Sequence, residues 1–103
     1  MTFYPLEQLS KLHDNYQKAF NLKGKDLLLI QHEGELCLLE SICPHAGYPL
    51  VTGKIIKNQL QCPMHGYLFR LTDGACTYYT EGPCRGLHTY PVVTQGDAVG
   101  IML

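Results

Sequence analysis

Apolar residues along the chain come in short runs broken by turn residues, the pattern of an all-β protein. "YQKAFNL" (16–22) predicts a strand, followed by a turn at "KGKD". "LLLIQH" (27–32) and "LCLLE" (36–40) flank "EGE", which predicts a hairpin around Gly34. "KIIKNQLQC" (54–62) predicts two short strands about Lys57 and Asn58, and "YLFRL" (67–71) a strand before a "TDG" turn. "LHTYPVV" (87–93) and "AVGIML" (98–103) flank "TQGD" and predict a closing hairpin. Near the start, Leu6, Leu9 and Leu12 recur three apart in "PLEQLSKL" (5–12), which predicts one or two helical turns.

Length and charge narrow the class. A chain of 103 residues suits a single domain, here residues 1–103. Eight Lys+Arg against nine Asp+Glu leave a formal net charge of −1, with no basic stripe. The expectation is therefore no nucleic-acid partner and no membrane. The start lacks a basic segment followed by an apolar one, and "LLLI" is far too short to span a bilayer. A cytoplasmic location and a monomer are expected. Five cysteines cannot all pair, and a reducing compartment disfavours structural disulfides.

The candidate chemistry lies in two loops. "CPHAGYPL" (43–50) carries Cys43 and His45, and "CPMHG" (62–66) carries Cys62 and His65. The spacing is C-x-H, sixteen residues, then C-x-x-H. Each half offers one thiolate and one imidazole, and loops at strand ends can bring both halves to one centre. By ligand type alone, two thiolates and two imidazoles also suit a tetrahedral structural zinc. The C-x-H half is unusual for zinc, whose paired cysteines favour two to four intervening residues.

"CPHAG…CPMHG", with "GYPL" after the first half and "FRLTDG", "GP" and "LHTYPV" after the second, resembles the Rieske family of [2Fe–2S] proteins. The resemblance runs from about residue 16 to the end. It implies an all-β, Rieske-type fold: an antiparallel β-sandwich with a small cluster-binding subdomain, about residues 42–70, built from two ligand loops. It implies one [2Fe–2S] cluster per chain, with Cys43 and Cys62 on the inner iron and His45 and His65 on the outer one. Gly47 and Gly66 would let the loops turn tightly, and Pro83 in "EGPCRG" would belong to a third loop covering the cluster. The implied function is a soluble Rieske-type ferredoxin, an electron-transfer component without its own catalysis. It would carry one electron between a flavoprotein reductase and a terminal oxygenase. The alternative is the small subunit of an NAD(P)H-dependent nitrite reductase, partnered by that enzyme's large subunit.

Departures from one branch of the family sharpen this. Respiratory and photosynthetic relatives carry an extra cysteine in each ligand loop and join them by a disulfide; Tyr48 and Met64 stand at those places. Where that branch has a cluster-directed Ser and Tyr, this chain has Tyr67 and Phe69. Fewer hydroxyl donors stabilise the reduced cluster less, so a potential low in the Rieske range is expected. Ala46 and Arg70 replace an Arg and an Asp common in relatives. Cys37 reads as core, Cys76 and Cys84 as free thiols. Tyr78 and Tyr79 suit either a docking face or ordinary packing, and Lys54, Lys57 and Arg85 read as solvated surface.

Overall fold

The computed structural model describes residues 1–103. Strand β1 (Phe3–Gln8) leads to a short 3-10 turn (Leu9–Lys11), then β2 (Tyr16–Leu22), β3 (Lys25–His32) and β4 (Glu35–Glu40). After the first ligand loop come β5 (Lys54–Ile56) and β6 (Gln59–Gln61), and after the second β7 (Leu68–Arg70) and β8 (Cys76–Tyr78). Strands β9 (Thr89–Tyr90), β10 (Val93–Gln95) and β11 (Ala98–Met102) close the chain. All pairings are antiparallel, in three sheets ordered β1-β11-β10, β2-β3-β4-β9 and β5-β6-β7-β8.

The middle sheet explains the run "LLLI". Leu28 and Ile30 pack on one side with Leu60, Phe69 and Leu71. Leu27 and Leu29 pack on the other with Val99 and Ile101. Successive side chains of a strand point to opposite faces, so a strand covered on both faces reads as an unbroken apolar run. Leu38 and Leu39 of β4 divide the same way.

Three hairpins share one turn solution. Lys23–Gly24, Glu33–Gly34 and Lys57–Asn58 all have positive φ at both central residues, between 49° and 79°. Such two-residue turns match the right-handed twist of the strands they join.

Two expectations change, and one strand is added. Residues 5–12 are not helical: Phe3–Gln8 pairs with β11, and only Leu9–Lys11 makes a helical turn. Tyr4 and Leu6, two apart, pack on the smaller core, while Leu9 stays 41% exposed. A full edge of backbone hydrogen bonds from β11 outweighs a three-residue leucine spacing. The stretch 87–93 is not one strand either. Thr89–Tyr90 pairs with β4 and Val93–Gln95 with β11, so the chain changes sheets around Pro91, which has no N–H for a ladder. Finally, Cys76–Tyr78 is a strand, pairing with β7.

Leu29 is fully buried between two sheets. Leu29→Ala is expected to lower the unfolding free energy by about 2–5 kcal/mol. Chemical denaturation measures this, and a loss under about 1 kcal/mol would contradict the two-faced burial of β3.

Candidate metal centre

The first ligand loop leaves β4 and the second joins β6 to β7. Both are shaped by the same backbone bonds. In the first, the Cys43 N–H donates to the Tyr48 carbonyl (2.9 Å), and the Gly47 N–H to the Cys43 carbonyl (2.8 Å). In the second, the Cys62 N–H donates to the Tyr67 carbonyl (2.8 Å), and the Gly66 N–H to the Cys62 carbonyl (3.1 Å). Each loop thus closes between a cysteine and the residue five further on. Gly47 and Gly66 adopt φ of 67° and 76°, where a side chain would be strained. The space beside them is open or loosely filled, so backbone angle, not close approach, is what asks for glycine.

The frame places Cys43 and Cys62 in one buried apolar cluster and sets His45 against His65. Burial pushes the Cys43 thiol up. The N–H groups of His45 and Ala46, aimed at its sulfur, partly offset this, and Cys62 pushes it up further. His45 and His65 meet edge to face, with ring centroids 5.0 Å apart and planes at 77°. Their Nδ1 atoms are buried and have no hydrogen-bond partner. Their Nε2 atoms, on the opposite flank of each ring, face Glu81. The side chains of His45 and His65 keep 20% and 34% of their exposure, so the pair forms the outward end of a buried thiol pair.

A third segment lies over the histidines. The Thr80 hydroxyl donates to the His65 carbonyl (2.9 Å), the Glu81 N–H to the Tyr67 hydroxyl (3.2 Å), and that hydroxyl to the Gly82 carbonyl (2.5 Å). Tyr67 is fully buried and stacks on His45, with centroids 4.3 Å apart and planes at 15°. The segment's far end is tied by Arg85, whose guanidinium grips Glu40 at 2.8 and 2.7 Å. Arg85 is therefore an anchor rather than free surface.

A family model described as the Rieske [2Fe-2S] domain matches residues 2–91. The chain belongs to the Rieske family. The Rieske chain is 34% identical over 87 residues to chlorophyllide a oxygenase, chloroplastic, of Chlamydomonas reinhardtii, covering 82% of this chain and 13% of that protein. It is 30% identical over 84 residues to the ferredoxin component of the naphthalene 1,2-dioxygenase system of Pseudomonas aeruginosa, covering 80% of this chain and 77% of that one. Among solved structures, Sphingomonas yanoikuyae B1 ferredoxin superposes with a TM-score of 0.85 at 26% identity, covering 97% of both chains. The chain spans only 10–14% of the length of the first curated relatives it matches.

The donor set suits the Rieske-type [2Fe–2S] cluster of this family. Two buried thiols and two buried, unpartnered imidazole nitrogens are the donors such a cluster takes. The cluster supplies a one-electron couple. The chain supplies low polarity around the thiols, orientation of the rings, and a third segment tied down beside them.

Sequence reasoning singled out Cys43, His45, Cys62 and His65 but missed two neighbours. Tyr67 is a ring support and an anchor for the cover, a role no motif marks. Glu81 has no ligand spacing, and its only signal is its place two residues before Pro83 in the third loop. Pro83 itself is exposed, and Thr80, Glu81 and Gly82 make the contacts that hold the cover down. Tyr48 and Met64, at the staple positions, are 37% and 48% exposed. Arg70 pairs with Asp73 at 2.7 Å and is held within its own turn. Cys76 and Cys84 are free thiols with sulfurs 3.6 Å apart, and the Cys84 thiol is pushed up to about 12, first by burial.

The Glu40–Arg85 pair makes the cover's attachment pH-dependent. Glu40 sits below its ordinary value of 4.5, chiefly through hydrogen bonds from Arg85. A depressed carboxylate stabilises above its unfolded pKa and loses that contribution as pH falls through its folded pKa. Arg85→Ala is expected to cost ~0.5–1 kcal/mol at neutral pH. The gap from the unsubstituted protein should narrow in acid, as pH falls through the lowered folded pKa of Glu40. Urea denaturation at the two pH values checks this, and a gap that persists in acid would contradict it.

Proposed function

We propose that Cys43 and Cys62 hold one iron of the cluster and His45 and His65 the other, and that the chain is a one-electron carrier. It accepts from a flavoprotein reductase and donates to a terminal oxygenase. The observation that carries this reading is the pairing of two buried thiols with two part-exposed imidazoles, converging from two loops of one hydrogen-bond frame. The imidazole side is the electron exit. The exposed side chains of Tyr48 and Met64 leave the ligand loops, and Tyr79 lies 6.5 Å from Tyr67, so apolar surface suited to transient docking lies at this end.

Two comparisons support a carrier. One relative that this chain covers over most of its length is the ferredoxin component of a naphthalene dioxygenase system. The other is the end-to-end likeness to Sphingomonas yanoikuyae B1 ferredoxin, which covers 97% of both chains. The structure has no helix long and apolar enough to cross a membrane. We place the carrier in the cytoplasm as a monomer.

The potential should lie low in the class. Tyr67 gives its hydroxyl proton to the Gly82 carbonyl, and Phe69 is a buried hydrocarbon ring, so neither donates to the cluster. The midpoint is expected below 0 mV, within the lower part of a range of about −150 to +300 mV. Protein-film voltammetry measures it, and a value well above 0 mV, about mid-range or higher, would reject the ferredoxin-like assignment.

His45→Ala and His65→Ala should each lose the cluster's visible absorption and its iron and labile sulfide, whose content in the unsubstituted protein should be near two each per chain. Zinc in place of iron would reject the cluster ligation. Co-purification with a sirohaem-containing large subunit would turn the reading to a nitrite reductase subunit. Reduction by a flavoprotein and oxidation by an oxygenase would support the carrier.

A further inference from the structure

The Glu81 carboxylate spans the two histidines. One oxygen lies 3.3 Å from Nε2 of His45 and the other 3.6 Å from Nε2 of His65. The contact is built rather than incidental, because the backbone on both sides of Glu81 is tied down. Thr80 is bonded to the His65 carbonyl, and the Glu81 N–H and the Gly82 carbonyl both meet the Tyr67 hydroxyl. Tyr67 in turn stacks on the His45 ring. One residue therefore supports the face of one imidazole and the carrier of the carboxylate that reaches both.

A neutral imidazole carries one proton, on Nδ1 or on Nε2. The buried, unpartnered Nδ1 atoms of His45 and His65 are the atoms free to bind iron, which requires the proton on Nε2. An acceptor facing Nε2 selects that form. A carboxylate does more than accept: half exposed at 52%, it adds a negative charge at the outer end of both ligands. That charge opposes the addition of an electron.

We propose that Glu81 is the potential-setting residue of this centre, a carboxylate that holds both ligand imidazoles in the Nε2–H form and lowers their iron's affinity for an electron. Glu81 is a positioning residue and not a ligand. It also places a negative charge at the electron exit, so the docking partner meets a carboxylate there. The inference rests on the assignment of His45 and His65 as ligands.

The test compares Glu81→Gln, Glu81→Ala and Glu81→Asp in the cluster-loaded protein at one fixed neutral pH. Far-UV circular dichroism, iron and sulfide content and midpoint potential are read for each. Gln keeps the shape and an acceptor but removes the charge. The expected result is full cluster content in all three, with the electron affinity raised about tenfold or more in Gln and Ala, ~59 mV for a one-electron couple. Asp should stay near the unsubstituted protein. Pulsed EPR should show altered imidazole nitrogen couplings in Ala. Unchanged midpoints in Gln and Ala would overturn the proposal. So would loss of iron from a folded Gln variant, which would make Glu81 a ligand. An unsubstituted protein that binds no iron and sulfide would instead bring down the ligand assignment, and this inference with it.

Discussion

Two backbone hydrogen bonds, made twice, hold the ligand end together. In each loop a cysteine N–H reaches the carbonyl five residues on, and a glycine N–H reaches back to the cysteine carbonyl. A cysteine side chain is short, so a thiol can be aimed only as well as its backbone is held. The paired frames set both cysteines inside the core and leave both imidazoles part-exposed at its edge. The histidines differ by one position, second after Cys43 and third after Cys62. In otherwise matching loops this offset accompanies rings that meet edge to face rather than as mirror images.

The resulting polarity runs one way. Cys43, Cys62, Leu60, Tyr67 and Phe69 belong to one buried cluster, which also holds Leu28 and Ile30 from the middle sheet. Charge brought to that depth is costly unless matched. The proposed mixed donor set would answer this, since two neutral imidazoles in place of two thiolates would keep an oxidised cluster near neutrality. The exposed side is then where polar and charged groups collect, with Glu81 over the rings and Glu40–Arg85 at the cover's edge. Buried thiols and a solvent-side imidazole pair give the centre an inner and an outer face without any large change in the scaffold.

Much of this was legible in the sequence, because it depends on local rules. The ligand spacing, the turns at Gly34 and at Lys57–Asn58, and the strand "YQKAFNL" follow from residue chemistry within a few positions. What was hidden depends on partners distant in the chain. The first strand exists because β11 offers it an edge ninety or more residues away. The break in "LHTYPVV" reflects two sheets competing for one segment, and β8 is visible only once β7 is in place. The roles of Tyr67 and Glu81 were hidden for the same reason, since residues in two separate loops give them meaning only after folding.

The matching frames also limit how the chain can change length. The bond from each cysteine N–H to the fifth residue on counts residues, so one insertion or deletion between Cys43 and Tyr48, or between Cys62 and Tyr67, breaks the closure and misdirects a donor. The hairpin from β5 to β6, with Lys57 and Asn58 at its tip, counts nothing at the centre. Growth or shrinkage there lengthens or shortens two paired strands in register. Over evolutionary time, relatives should therefore diverge freely in the span between the two loops and hold the loops themselves to a constant length.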